Sequence, residues 1–256
     1  MNSTIVTLDH PIVSKKEWLQ ARRELLEKEK ELTRLTDELS AQRHALPWTR
    51  VDKEYSFAGP QGKLSLSDLF KGRSQLAVYH FMLAPDWDEG CPGCSYVADH
   101  LNGTIEHLQA RDVSLVLVSR APLEKITAFQ KRMGWRMAWV SSGGNDFNRD
   151  FAVSFTKEEV ASEKNLYNAE TMPAYAEENP GMSFFYKDAS GAVLHTYSTY
   201  ARGLDVLLTT YAVLDRAPLG RNEAGLPSTM SWVRHHDKYE PTPQNAASCC
   251  HGKECH

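Results

Sequence analysis

Cysteine is scarce in this chain and unevenly placed. The 256 residues include only five, and they are Cys91 and Cys94 near the middle and Cys249, Cys250 and Cys255 near the end. A secreted disulfide framework has an even number of cysteines spread through a short chain. The scarcity and the odd count exclude that class and favour a redox-active or metal-binding use of the cysteines.

Long hydrophobic runs and an excess of one charge are also lacking. No apolar stretch approaches the roughly 20 residues that span a bilayer. The start, MNSTIVTLDHPIVSKKEW, has no charged residues followed by an apolar stretch, so we expect no secretory signal. The net charge is −4, which points to neither nucleic acid nor an anionic membrane as a partner. We therefore expect a cytoplasmic protein.

Residues 1–48 are predicted to form a helical arm. The stretch KKEWLQARRELLEKEKELTRLTDELSAQ contains no Gly or Pro, and Ser14 with Glu17 three residues later forms a capping-box pattern. Its apolar residues recur every seven positions, at Trp18, Leu25, Leu32 and Leu39. Such a stripe either packs on the protein's own domain or serves as an arm that forms a homodimer.

Residues 49–217 are predicted to form one α/β domain. The runs SQLAVYHFML and VSLVLV are typical of strands buried on both faces, and each precedes a stretch with helical spacing. This alternation predicts a parallel sheet core. A hairpin is predicted around Gly191, and an insertion interrupts the pattern at about 141–179. Residues 218–256 are polar and Pro-containing and are predicted to form an extended tail.

The stretch PDWDEGCPGCSYV carries the strongest chemical signal. Cys91 falls near the N-cap of a predicted helix that begins at Pro92. The free N–H groups and the helix dipole there favour a thiolate, which is the reactive form of cysteine. Cys94 lies one turn later and can attack a mixed disulfide formed by Cys91. The alternatives are half of a zinc site and two unreactive core cysteines.

A resemblance extends far beyond these cysteines. The segments HPIVSKKEWLQARRELLEKEKELTR, PDWDEGCPGCSYVADHLNG and SFFYKDASGAVLHTYSTYARG are similar to the bacterial thioredoxin-like family DUF899, from His10 to Leu214. The resemblance implies an α/β thioredoxin-like fold: a three-layer sandwich with a mixed central sheet, an N-terminal helical arm and an extended C-terminal tail. It implies no established substrate.

The resemblance also assigns positions. In the peroxiredoxin branch the peroxide-attacking cysteine takes the second place, here Cys94, and a Thr takes the first, here Cys91. An Arg that assists the thiolate corresponds by position to Arg120, with a surface residue as the alternative. Thioredoxin-like proteins usually have a cis-proline before the strand that faces the cysteines, and Met182 or its neighbour takes that position here.

Two aromatic residues complete the candidates near the cysteine pair. Trp87 is placed where thioredoxin-like proteins carry an aromatic near the site, and Tyr96 either reaches the site or covers it. With Arg120 and Met182 they are the candidates for the rim of a substrate site. In the buried strand, His80 is interpreted as a core histidine, with a proton shuttle as the alternative.

The tail ends in SCCHGKECH, a dense group of soft metal ligands. These residues are Cys249, Cys250, His251, Cys255 and His256. Thiolates and imidazoles at this density can bind zinc or copper. The alternatives are incidental thiols on a disordered tail and a redox relay to the Cys91 and Cys94 pair.

The leading functional hypothesis is a thiol–disulfide oxidoreductase in which Cys91 attacks and Cys94 resolves. It needs no bound cofactor, only an external thiol or disulfide partner that exchanges electrons with the pair. The alternatives are a thiol peroxidase with Cys94 attacking peroxide, a zinc or copper protein that uses the tail, and a thioredoxin-like binding module without catalysis.

Overall fold

The structure, a computed structural model, describes residues 10–162, 164 and 166–240. The chain divides into two compact units, Met1–Pro47 and Trp48–His256. Among the described residues, no helix combines the length and the apolar character needed to cross a membrane.

The described residues of the first unit contain one long helix, α1 (Lys15–His44). Its start is the predicted capping box: the Ser14 Oγ accepts from the Glu17 N–H, and the Glu17 carboxylate accepts from the Ser14 N–H at 2.9 Å. None of the residues of α1 is buried, including the apolar residues of its seven-residue repeat. Packing and dimerisation both remain predictions for this stripe.

The second unit is built on an eight-stranded mixed sheet. The strands of this sheet are β1 (Thr49–Arg50), β2 (Ser56–Gly59), β3 (Gly62–Ser65), β4 (Gln75–His80), β5 (Val113–Ser119), β6 (Ala138–Ser141), β9 (Gly181–Lys187) and β10 (Val193–Tyr200). A separate two-stranded sheet consists of β7 (Leu166–Tyr167) and β8 (Met172–Pro173). The helices are α2 (Pro92–Leu101), α3 (Ile105–Ala110), α4 (Leu123–Met133), α5 (Phe147–Asp150), α6 (Lys157–Ser162) and α7 (Thr209–Leu214).

The strand order is β1-β10-β9-β4-β5-β6-β2-β3. Strands β4, β5 and β6 are parallel and are joined through α2, α3 and α4, as the alternating sequence predicted. On the other side of β4, the antiparallel hairpin of β9 and β10 completes the sheet. A parallel β–α–β unit followed by an antiparallel hairpin, with the Cys-x-x-Cys helix as the next element after a central strand, is the thioredoxin-like α/β fold that the resemblance implied.

Strand β4 separates two hydrophobic clusters. Because side chains alternate along a strand, Tyr79 points to one face of the sheet, where Cys94 also lies, and Val78 points to the other. We call the first the dithiol-side cluster and the second the far-side cluster. Every residue of β4 after Gln75 is buried, as expected for a strand covered on both faces.

Two predicted segments are more complex than the sequence indicated. The helical spacing after the cysteines belongs to two helices, because α2 ends at Leu101 and α3 begins at Ile105. The predicted insertion at about 141–179 contains α5, α6 and the β7–β8 pair. Residues 218–240, the first part of the predicted tail, contain no α-helix and no strand, but their Val233 and His235 side chains are buried.

The loop between β4 and α2 passes Gly90 at a point of very close packing. A Cβ at Gly90 would lie 2.5 Å from Phe81 Cε1 and 2.7 Å from Phe129 Cε1. Only glycine lets the backbone come this close to the two rings, and the next residue in the chain is Cys91. The position of Cys91 therefore depends on the absence of a side chain at Gly90.

We expect Gly90→Ala to lower the free energy of unfolding by about 1–3 kcal/mol, because the added methyl group overpacks the core. Urea denaturation measures this change. The control is Gly103→Ala, since no heavy atom lies within 4 Å of a Cβ built there. Equal stability of Gly90→Ala and wild type would contradict the packing argument.

His80 belongs to the far side of the sheet, as a core histidine. Its Nε2 is 2.9 Å from Ser183 Oγ, and its ring lies against Phe147 and Phe151. Burial lowers the pKa of His80 to about 3, and the nearby His195 contributes to the shift. In the folded state the imidazole is therefore neutral at neutral pH.

The low pKa of His80 predicts acid sensitivity of the fold. Between about pH 6.5, its ordinary unfolded value, and about pH 3, the unfolded chain binds a proton that the folded chain does not. The free energy of unfolding should therefore fall with acidification, by up to ~1.4 kcal/mol per pH unit from this group. Urea midpoints across this range test it, and His80→Gln should show a shallower decline. Parallel declines in the two proteins would rule His80 out as the cause.

Candidate functional site

The two cysteines lie at the start of α2, after the loop that connects it to β4. Cys91 is the N-cap residue of α2, with φ −55° and ψ 130°, and Pro92 is the first helical residue. The Cys91 N–H donates to the Met82 carbonyl at 3.0 Å, which holds the cap against the end of β4. Lys125 on α4 donates to the Trp87 carbonyl at 3.0 Å and fixes the intervening loop. The helix cap that the sequence predicted is therefore formed by Cys91.

The Cys91 thiol is half-buried, free of any disulfide, and unusually acidic. A hydrogen bond from the Cys94 side chain lowers the pKa of Cys91 to about 7, against the opposing effect of burial. The N–H groups of Cys94 and Gly93 add to this shift, although neither makes a capping hydrogen bond of regular geometry to the sulfur. A substantial fraction of Cys91 is therefore thiolate at neutral pH.

The Cys94 thiol is free as well, but it is buried in the dithiol-side cluster, where it is 2% exposed. Burial raises its pKa well above the ordinary value, and the hydrogen bond to Cys91 raises it further. The Met82 N–H donates to Cys94 Sγ at 3.5 Å. The two thiols are thus inequivalent: Cys91 ionises easily and is accessible, whereas Cys94 holds its proton and is enclosed.

Tyr79 lies in the same cluster as Cys94 and is fully buried. Burial raises the pKa of Tyr79 well above its ordinary value, and the Cys94 sulfur is the next cause. The Tyr79 hydroxyl makes no hydrogen bond of regular geometry with any described residue. Periodicity alone marks Tyr79 as a core residue, and no sequence pattern placed it in the site.

Residues from the far end of the described chain lie beside Cys91. A Cβ at Gly93 would lie 3.6 Å from Met230 Cε and 3.7 Å from Cys91 Sγ, so Met230 and Cys91 flank Gly93. The His235 Nε2 is 2.8 Å from the Gly90 carbonyl and can donate to it. We call residues 223–239 the covering segment.

The covering segment is held at both of its ends. Near its start, the Glu223 carboxylate accepts from the Met230 N–H at 2.9 Å and from Trp232 Nε1 at 2.7 Å. Near its end, Lys238 forms an ion pair with Glu89 at 2.7 Å. Arg132 on α4 contacts Glu89 as well. The positive charges of Lys238 and Arg132 lower the pKa of the Glu89 carboxylate.

Three of the four candidates for a substrate rim lie in or against the dithiol-side cluster. Trp87 is half-buried against it, and Met182 is buried within it. Tyr96 is also buried, and its ring packs on Trp232 of the covering segment at a centroid distance of 5.8 Å. Tyr96 therefore contributes to the support beneath the covering segment.

Arg120 is engaged elsewhere. Its guanidinium lies 2.5 Å from the buried carboxylate of Glu178, which also accepts from Ser154 Oγ at 2.8 Å. Burial raises the pKa of Glu178, and Arg120 offsets part of that shift. The structure thus shows Arg120 in an ion pair that neutralises a buried acid of the insertion. A role in assisting the thiolate stays a prediction.

The insertion also supplies a tyrosine that the sequence did not single out. The ring of Tyr175 is exposed, but burial around its hydroxyl raises its pKa to about 12, and the sulfurs of Cys94 and Cys91 contribute to the shift.

The tail residues predicted to bind zinc or copper lie outside the described residues, and the metal site stays a prediction. They are Cys249, Cys250, His251, Cys255 and His256. Within the described part of the chain, no cluster of three or more His, Cys, Asp or Glu side chains is arranged to hold a metal ion.

Several solved peroxiredoxin structures are similar to part of this chain. Peroxidoxin BcpB from Mycobacterium tuberculosis is 17% identical, with a TM-score of 0.43, over 65% of this chain and 96% of that chain. Peroxiredoxin Q from Xanthomonas campestris is 18% identical, with a TM-score of 0.42, over 66% and 96% respectively. The mitochondrial 2-Cys peroxiredoxin from Plasmodium falciparum is 17% identical, with a TM-score of 0.36, over 65% and 92%.

Comparison with curated protein sequences found no match. The family model described as "Bacterial protein of unknown function (DUF899)" matches residues 7–239, a range that includes the helical arm, the dithiol and the covering segment. The match covers most of the chain and agrees with the resemblance seen in the sequence. This protein therefore belongs to the DUF899 family.

Proposed function

We propose that this protein is a thiol–disulfide oxidoreductase with Cys91 as the attacking thiolate and Cys94 as the resolving thiol. The observation that carries the proposal is the inequivalence of the two sulfurs. Cys91 is half-buried with a pKa lowered to about 7, and the Cys94 thiol that donates to it is buried with a raised pKa. A nucleophile needs access and ionisation, and only Cys91 combines them.

The chemistry proceeds by two exchanges. The Cys91 thiolate attacks one sulfur of a substrate disulfide, a Cys91–substrate bond forms, and the first product thiolate leaves with the electron pair and takes a proton from solvent. Cys94 then loses its proton to solvent and attacks Cys91 Sγ, which releases the second product thiolate. Two electrons pass from the dithiol to the substrate, and an external dithiol returns them.

A thiol peroxidase with Cys94 as the attacking residue is less well supported. Cys94 is 2% exposed, and burial raises its pKa. A peroxide would have to reach an enclosed sulfur that is neutral at neutral pH, whereas the more acidic Cys91 lies at the entrance. The same burial suits a resolving thiol, which reacts within the molecule and needs no access for substrate.

We expect Cys91→Ser to abolish dithiothreitol-dependent reduction of a small disulfide, because serine supplies no thiolate. Cys94→Ser is the matched variant. It should still attack once and then accumulate a mixed disulfide on Cys91, which mass spectrometry of the intact protein detects. Both proteins should keep the wild-type circular dichroism spectrum. Continued turnover by Cys91→Ser would discard the assignment.

The pKa of Cys91 predicts the pH dependence of its alkylation. Iodoacetamide labelling of Cys91 should rise with a midpoint of about pH 7, whereas an ordinary thiol has a midpoint of about 8.5. Cys94→Ala should move this midpoint upward, because it removes the main hydrogen-bond donor to the Cys91 sulfur. Peptide mass spectrometry measures both curves. A wild-type midpoint equal to that of an ordinary thiol would show that neither Cys94 nor the helix start lowers the pKa of Cys91.

A further inference from the structure

A fully buried hydroxyl without a hydrogen bond lies in the dithiol-side cluster. Tyr79 is 0% exposed, and its hydroxyl has no partner of regular geometry among the described residues. Such a group loses its hydration without compensation, so it destabilises the fold in this state of the protein. The ring itself is well packed, at 6.2 Å from the Phe81 ring. Phenylalanine would fill the same space without leaving a polar atom unpaired.

The buried thiol of Cys94 lies in the same cluster as this hydroxyl. Tyr79 and Cys94 influence each other's ionisation, and each is buried in the same cluster. The other titratable groups that act on Cys94 or are acted on by it are Cys91 on α2 and the tyrosines Tyr167 and Tyr175 of the insertion. The Tyr167 hydroxyl accepts from the Ala201 N–H at 2.9 Å and donates to the Pro180 carbonyl. Tyr79 is thus a donor in the cluster of Cys94 whose hydroxyl makes no regular hydrogen bond with any described residue.

We propose that the Tyr79 hydroxyl donates a hydrogen bond to the Cys94 thiolate when Cys94 resolves the mixed disulfide on Cys91. The inference rests on the proposed function and deepens it. In the reduced protein Cys94 is protonated, and its S–H group donates a hydrogen bond to the Cys91 sulfur. Once Cys91 is bound to substrate, Cys94 must ionise inside the core, where a thiolate has no water to stabilise it.

Tyr79 is suited to this task because it stays neutral. The raised pKa of its hydroxyl keeps the proton in place at neutral pH, so the group remains a donor. It supplies a hydrogen bond and takes no proton. The Cys94 proton goes to solvent, the Cys94–Cys91 bond forms, and the substrate thiolate leaves with the electron pair of the broken bond.

The size of the effect follows from two opposing terms. A hydrogen bond to a charged group shifts a pKa by about one to two units, so its loss reduces the Cys94 thiolate fraction about 10- to 100-fold. A less stabilised thiolate is the better nucleophile, with a Brønsted slope of about 0.5, which recovers about half of that loss on a logarithmic scale. The net expectation for Tyr79→Phe is a resolving step slowed about three- to tenfold.

Stopped-flow reaction with Ellman's reagent separates the two exchanges. The first burst of thionitrobenzoate reports attack by Cys91 and scales with reagent concentration. The second release reports attack by Cys94 and is independent of that concentration. We expect Tyr79→Phe to leave the first phase unchanged, to slow the second about three- to tenfold, and to raise the apparent pKa of the second phase by about one to two units. A merely structural effect would not move this pKa.

Tyr55→Phe is the matched control, since Tyr55 belongs to the far-side cluster and its hydroxyl donates to Asp150 at 2.7 Å. It should leave both phases unchanged. Tyr79→Phe should unfold at a temperature no lower than wild type, because it removes an unpaired polar atom. An unchanged second phase with an unchanged pH profile in Tyr79→Phe overturns this inference alone. A wild-type protein without a fast first phase overturns the proposed function and the inference with it.

Discussion

The interaction between the two thiols at the start of α2 is the one on which the site depends. It acts in opposite directions on its two members, since it lowers the pKa of Cys91 and raises that of Cys94. Burial reinforces the difference, because Cys94 lies inside the core and Cys91 at its edge. The spacing of one helical turn, together with the N-cap position of the first cysteine, makes two chemically identical residues inequivalent.

The alternation of side chains along β4 decides which residues can take part. Tyr79 faces the dithiol, whereas His80, the next residue, faces the aromatic rings of the far-side cluster. A histidine one position away from the site is therefore a neutral core residue, and a tyrosine that the sequence did not single out lies in the same cluster as the buried thiol of Cys94. Neighbouring residues of β4 therefore have different roles, because their side chains lie on opposite faces of the sheet.

Contacts from distant parts of the chain complete the site. The covering segment brings Met230 next to Gly93, two residues after Cys91, and ties His235 to the backbone of Gly90. In the insertion, burial raises the pKa of Tyr175, and the sulfurs of both cysteines contribute to the shift. Arg120 was expected near the thiolate from its position in the family, but its guanidinium is paired with the buried carboxylate of Glu178. Each of these placements depends on which carboxylate, ring or carbonyl is within reach in three dimensions.

The local features were determined by the sequence itself: the capped helix α1, the buried strand β4, and the helix that begins at Cys91 and Pro92. These features depend on residues within one or two turns of each other, and periodicity and capping chemistry express them directly. The tertiary structure alone decided the degree of burial of Cys94, the unpaired hydroxyl of Tyr79 and the return of residues 223–239 to the dithiol. Burial and unpaired polar atoms arise from contacts between residues far apart in the chain, and a single sequence carries no signal of such contacts.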